Sequence, residues 1–340
     1  MKHDACWIKV MLAVHAVFFW ALLSGAAASS ATFPAKEKVE EPAPLKPWFE
    51  PVLSLSAGLR SDNLDWNIAS DTTGTSTPNI LSELTWDDLK IFQLALAFES
   101  RFVRAANGQK VLFMRAKTSY GWIYDGNNQD SDYLGNDRTL EFSRSNNNAD
   151  DGEVWDGSIG FGPRFTFGTS YLEMMPLIGY SYHAQRLTVT DGFQTLPPLG
   201  SFSGLDSSYD TEWYGPWAGL DFTLKAGQGL GVFENVVFFG SFEYHWADYY
   251  AEANWNLRDE FAHPKSFEHE ADGHGYTVTM GARLFFNARW ALTMAFGLSR
   301  WETDPGVDRV FYSDGGIAET RLNEVNWDSD TVSVGVACYF

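Results

Sequence analysis

Along most of this chain polar and apolar residues take turns. The last ten residues show the pattern cleanly: Val332, Val334, Val336, Cys338 and Phe340 share one face, and Thr331, Ser333, Gly335, Ala337 and Tyr339 share the other. Successive side chains of a strand point to opposite faces, so this pattern predicts a strand with lipid on one side and a polar lumen on the other. Residues 112–124 repeat it, with Leu112, Met114, Tyr120, Trp122 and Tyr124 opposite Arg115, Lys117 and Ser119. In 172–184 the pair Ile178 and Tyr180 opposes Glu173 and His183, and in 236–246 the pair Phe242 and Trp246 opposes Glu243 and His245. A soluble sandwich also closes on alternating strands, but its inner apolar face seldom ends in an aromatic run such as Tyr244 and Trp246.

The connections between these segments alternate in length. Short links fall near 105–108, 168–170, 226–229 and 287–289, and long polar ones near 61–79, 126–150, 190–208, 253–267 and 303–320. Short periplasmic turns and long outer loops are the outer-membrane arrangement. The segments between them predict ten strands, at 52–60, 80–103, 109–125, 152–167, 171–189, 209–225, 231–252, 268–286, 290–302 and 321–340. The expected fold is therefore all-β: a ten-stranded antiparallel transmembrane β-barrel with long extracellular loops, one domain over 48–340. A barrel this narrow is filled by side chains. Arg115, Lys117, Glu173, His183, Glu243, His245 and Arg283 point inward and predict a charged interior network, which disfavours a wide pore. Strands of up to about twenty residues exceed the roughly nine to eleven that a bilayer needs, so the barrel is expected to stand above the outer leaflet.

The N-terminus changes the picture from membrane protein to exported membrane protein. Lys2 and Lys9 precede an apolar stretch at 10–23 broken only by His15, followed by small residues at 25–30. That order predicts a signal peptide over 1–30 cleaved near 28–31. A membrane anchor would need about twenty clean apolar residues. Residues 31–47 mix Pro34, Pro42, Pro44 and Pro47 with Lys36, Glu37, Lys38, Glu40 and Glu41, a composition that buries no core and predicts a disordered linker. No later apolar run has helix length, so a spanning structure must be a closed barrel, whose backbone groups are satisfied between strands. Cys6 lies in the signal, which leaves Cys338 alone and no intramolecular disulfide. No Leu-x-x-Cys pattern precedes the cleavage site, which argues against a lipoprotein. The net charge of -20, from 44 acidic and 24 basic residues, argues against nucleic acid and favours cationic partners.

Candidate chemistry sits in two outer loops. One holds Asp130-Ser131-Asp132-Tyr133 and then Glu141-Phe142-Ser143-Arg144; the other holds Asp259-Glu260-Phe261-Ala262-His263-Pro264. With Leu84-Thr85-Trp86 and the closing strand, in this order and spacing, these stretches resemble the omptins, ten-stranded outer-membrane proteases of enterobacteria. The likeness runs through the whole mature chain in strand order and loop length. It implies a surface endopeptidase in which an aspartate pair and an Asp-His dyad, on opposite sides of a groove, activate a water against a peptide bond. Carried over, Asp130 and Asp132 are the pair, Asp259 is the acid of the dyad, and Glu141 and Ser143 lie beside the substrate. The dyad histidine falls on Phe261, whose ring cannot take the water's proton, a role that contributes about a hundredfold or more. His263, two residues on, is the replacement base if the loop is shifted. Two further family positions are altered: an acidic one falls on Leu257, and a lipopolysaccharide-binding arginine falls on Glu212.

Other chemistries are weaker. The aspartates of 125–137 lack the Gly and Glu positions of a calcium loop. His269 and His274 have opposite parity and cannot share a zinc. No metal and no cofactor is expected. The sequence predicts a monomer in the outer membrane of a Gram-negative cell, surrounded by lipid and engaging cationic extracellular peptides or proteins at an acidic rim. Three activities remain open: a degenerate, binding omptin-like barrel, an active endopeptidase with a relocated base, and a small pore.

Overall fold

The computed structural model describes residues 49–104, 109–168, 171–226 and 229–340. The predicted signal peptide, 1–30, the predicted linker, 31–47, and residue 48 lie outside the described residues. Among the described residues there is no helix, and fourteen strands form one antiparallel sheet. They are β1 Phe49–Ile68, β2 Ser82–Arg104, β3 Gln109–Tyr133, β4 Glu141–Asn148, β5 Gly152–Pro163, β6 Phe165–Phe167, β7 Leu172–Leu196, β8 Gly200–Ser201, β9 Asp206–Lys225, β10 Asn235–Asn254, β11 Phe267–Phe285, β12 Trp290–Thr303, β13 Gly306–Phe311 and β14 Ile317–Tyr339.

Fourteen segments make ten staves. The fourth is assembled from β4, β5 and β6, of which β4 and β5 lie between β3 and β7. The ninth is assembled from β12 and β13, both between β11 and β14. The short β8 folds back onto β7. The sheet closes on itself because β1 pairs with β14 as well as with β2, in unbroken register from Val52 opposite Tyr339 to Asn67 opposite Glu324. The break in the fourth stave needs a glycine: Gly152 has φ +130°, and a Cβ there would sit 2.2 Å from the Arg186 carbonyl oxygen.

The alternation sorts side chains as the sequence predicts. Val332, Val334 and Val336 are exposed on the outside, as are Trp122, Ile178, Tyr180, Phe242 and Trp246, while Arg115, Glu173, Glu243, His245 and Arg283 are buried inside. Two outward aromatic belts mark the lipid boundaries. Trp122, Tyr124, Trp155, Tyr180, Trp246 and Tyr276 form the outer one, and Phe165, Phe167, Tyr171, Phe286 and Trp290 the inner. About ten residues separate them along a strand, and at the usual tilt that is about 25 Å, the height of an outer-membrane apolar band.

The loops are shorter than the sequence predicts. β1 runs to Ile68 and β3 to Tyr133, and β4 and β13 occupy stretches expected to be loop. These stretches lack a continuous apolar outward face, so the lipid-facing pattern stops at the outer belt while the hydrogen-bonded ladder continues into solvent.

Candidate functional site

Inside the barrel, the part above the outer belt is filled by aromatic rings. Trp213, Trp301 and Trp327 meet across the lumen at centroid distances of 5.5 to 6.3 Å. Trp327 Nε1 donates to Asp62 Oδ2 at 3.0 Å, which also accepts from Gln185 Nε2 at 2.8 Å. Arg60, buried beneath this layer, joins Asp62 to Asp156 with contacts of 2.6 and 2.7 Å. Higher up, Trp86 stacks on Tyr209 at 5.2 Å, and the Tyr209 hydroxyl meets the Tyr249 hydroxyl at 2.6 Å and His269 Nδ1 at 2.8 Å. His269 Nε2 lies 3.2 Å from Asp308 Oδ1, which is anchored through Oδ2 by the Thr320 hydroxyl at 2.8 Å. Burial holds the Tyr209 phenol well above its ordinary pKa. His269 and Asp308 make an imidazole–carboxylate pair, but both are sealed from solvent and reach no substrate. The sequence reading missed this filling. The signal was there: Trp213 shares the parity of inward Asp221, and Trp327 that of inward Ser329.

The aspartate pair lies above the outer belt on β3, not in a loop. Asp130 is opposite Leu84 and Asp132 opposite Ser82 on β2, and on the other side they face Ser145 and Ser143 of β4. Leu84 points inward, so Asp130 and Asp132 do too. Burial, together with the neighbouring Asp132 carboxylate, pushes Asp130 up to about 7, opposed by Arg258. Burial also raises Asp132, opposed by hydrogen bonds from Ser82 and Ser143 and by Arg258. Both carboxyl groups are thus pushed toward holding a proton, Asp130 the more so because the Asp132 charge adds to its burial. Ser143 is thus brought to the pair, and its hydroxyl also accepts from Gln194 Nε2 at 3.3 Å. Below them Asn147 Nδ2 donates to Asn128 Oδ1 at 2.8 Å.

The other half of the expected machinery is not assembled. Asp259 is exposed and, among the described residues, has no hydrogen bond or ion pair. His263 is exposed with Nδ1 2.8 Å from Asn254 Oδ1 and makes no contact with Asp259. Phe261 bridges to Tyr312 through the backbone, packs its ring at 6.0 Å from that tyrosine, and carries the Arg258 guanidinium 5.9 Å away. Glu141 is held by its neighbour Arg144, with Nε to Oε1 at 2.7 Å. Leu257 is exposed, and Glu212 faces outward opposite Tyr250. Around Glu212 the outer surface above the belt is acidic, and Asp248 stands directly opposite Asp272.

Comparison with known proteins fits this geometry. The family model "Pom: Protochlamydia outer membrane protein" matches residues 54–340. No curated protein matches the sequence. Among solved structures, the outer membrane protease OmpT from Escherichia coli superimposes with a TM-score of 0.65 at 13% identity, covering 86% of this chain and 97% of that one. The translocator domain of the autotransporter NalP from Neisseria meningitidis gives a TM-score of 0.33 at 10% identity, covering 85% and 88%. OprG from Pseudomonas aeruginosa gives 0.31 at 11% identity, covering 85% and 95%. The first of these likenesses gives the fold: an omptin-like barrel.

Proposed function

Because the chain belongs to the Protochlamydia outer membrane protein family and is an omptin-like barrel of the outer membrane, we propose that it binds cationic extracellular peptides or proteins at its rim and does not cleave them. The observation that supports this reading is the asymmetry of the site. In an inward carboxyl pair, Asp132 lies between Ser82 and Ser143 and Asp130 between Leu84 and Ser145, while Phe261, on which the dyad histidine falls by the resemblance, packs on Tyr312. In the omptin arrangement that the sequence resembles, the dyad histidine takes the water's proton; with a phenyl ring at that position, what the carboxyl pair retains is attraction for a basic side chain. The acidic outer surface adds long-range attraction.

The alternative is an endopeptidase that uses Asp130, Asp132 and Asp259 with His263 as base. The near-neutral Asp130 favours it, since a carboxyl that titrates near 7 serves proton transfer well. The third activity, a small pore, is opposed by the tryptophan layer across the lumen.

Refolded protein, with Asp130→Asn and Phe261→His variants, is to be assayed on a fluorogenic basic peptide library and for oligo-arginine binding by fluorescence anisotropy. Binding that weakens with salt and in Asp130→Asn, without turnover, supports the proposal. Turnover by the native protein that vanishes in Asp130→Asn establishes the endopeptidase instead. A gain of cleavage only in Phe261→His marks a degenerate omptin site. Absence of both binding and cleavage overturns the rim as a peptide site.

A further inference from the structure

Below the tryptophan layer the lumen contains a cavity of about 310 Å³, at the lower end of the range for small-molecule sites. Its two walls differ in kind. One carries ion pairs: Arg115 Nε is 2.8 Å from Asp221 Oδ2 and its Nη2 2.8 Å from Glu243 Oε1, Lys117 Nζ is 3.6 Å from the same Glu243 oxygen, and His183 Nδ1 is 2.8 Å from Asp156. The other carries hydroxyls set among glycine and alanine: Ser56, Ser241, Thr279, Thr331 and Ser333. The register makes this wall continuous. Ser241 is opposite Thr279, Thr279 opposite Gly297, and Gly297 opposite Thr331, while Ser333 is opposite Ala295 and Gly58. All five hydroxyl residues are partly accessible, and among the described residues none of their side chains has a hydrogen-bond partner.

We propose that this chamber binds a small, uncharged, polyhydroxylated solute. Charge excludes the ions. Each cation on the walls already faces a carboxylate: Arg60 with Asp156, Arg101 with Glu173, Arg115 with Asp221, Lys117 with Glu243 and Arg283 with Glu99. An anion or a cation would find no free counter-charge, and a buried charge without one is costly. Five unbonded hydroxyls, each able to donate and to accept, match a ligand that carries several hydroxyls of its own. The Lys117 side chain, 40% exposed toward the lumen, adds a donor on the facing wall.

The test is equilibrium dialysis of radiolabelled erythritol against the refolded barrel, run to constant partition, with a long dextran as a polyol too large for the chamber. Thr279→Val/Thr331→Val removes two hydroxyls at nearly constant shape, and heat-modifiable gel mobility verifies that the variant is folded. Saturable retention of erythritol but not of the dextran is expected, with the half-saturating concentration raised about tenfold or more in the double variant. Should Thr279→Val/Thr331→Val not fold, Thr331→Ala is compared in its place, with a rise of about fivefold expected. Retention no greater than that of empty detergent micelles overturns the proposal, and so does equal retention by the native barrel and the folded variant: the chamber then holds water alone.

Discussion

Single residues carry two sharp consequences. Asp130 holds its proton more tightly when folded than when unfolded, since its folded pKa is raised to about 7. The folded state then binds more protons between pH 4 and 7, so this residue's contribution to stability is greatest in acid and falls as pH rises through that window. Asp130→Asn is expected to remove that decline, about 3 kcal/mol between pH 5 and pH 8 at about 1.4 kcal/mol per unit. Urea unfolding in micelles at pH 5 and pH 8 checks it. Arg60 has the opposite character: it is the cation that neutralises Asp62 and Asp156 beneath the tryptophan layer. Arg60→Ala leaves two carboxylates without it in the interior, and a loss of about 3–5 kcal/mol is expected, read as a lower urea midpoint. Asp130 and Asp132 were legible in the sequence as acidic residues, and the resemblance supplied their pairing. Their inward direction was not, because their parity is fixed by the irregular pairing at Asp87–Lys90. Asp259 and His263 lie four residues apart in one stretch, and the structure does not bring their side chains into contact, since His263 Nδ1 turns to Asn254 Oδ1.

At the scale of strands, large rings lie flat where a neighbouring strand has no side chain. Trp217 on β9 covers Gly160 of β5 and Gly179 of β7, which are directly opposite one another. A Cβ at Gly160 or Gly179 would come within 2.3 Å of the indole. Gly179→Ala is therefore expected to cost about 1–3 kcal/mol by overpacking, as a lowered unfolding midpoint with unchanged secondary structure by circular dichroism. The alternation that predicted the strands is a local property, so ten staves were readable from the chain. Where strands end above the membrane was not readable, because solvent-exposed ladders such as β3 beyond Tyr124 no longer alternate between lipid and lumen. The tryptophan layer is hard to read for a related reason: aromatic residues serve both the belts and the lumen, and only parity distinguishes Trp213 inside from Tyr214 outside.

At the scale of the whole molecule, the tryptophan layer crosses the lumen above the chamber and stands in the way of a path through the barrel. Planar bilayers containing the refolded native protein are expected to show no stepwise conductance, and steady channel openings would contradict a lumen crossed by the tryptophan layer. The family and fold place the protein in the outer membrane, and the belts set its depth there. The pairing of β1 with β14 has one more consequence. Val52 and Tyr339 meet across nearly the full length of the described chain, a contact among the most distant in sequence that the sheet contains and the last to become available during synthesis. Bringing such remote segments together is the slow part of forming a sheet. Until the final strand arrives, β1 keeps an unpaired edge of the kind that recruits foreign strands. The protein therefore has no partial version of itself: its N-terminal half is an aggregation hazard until the C-terminal one completes it, and a nascent chain shortened within β14 is expected to be degraded, not inserted.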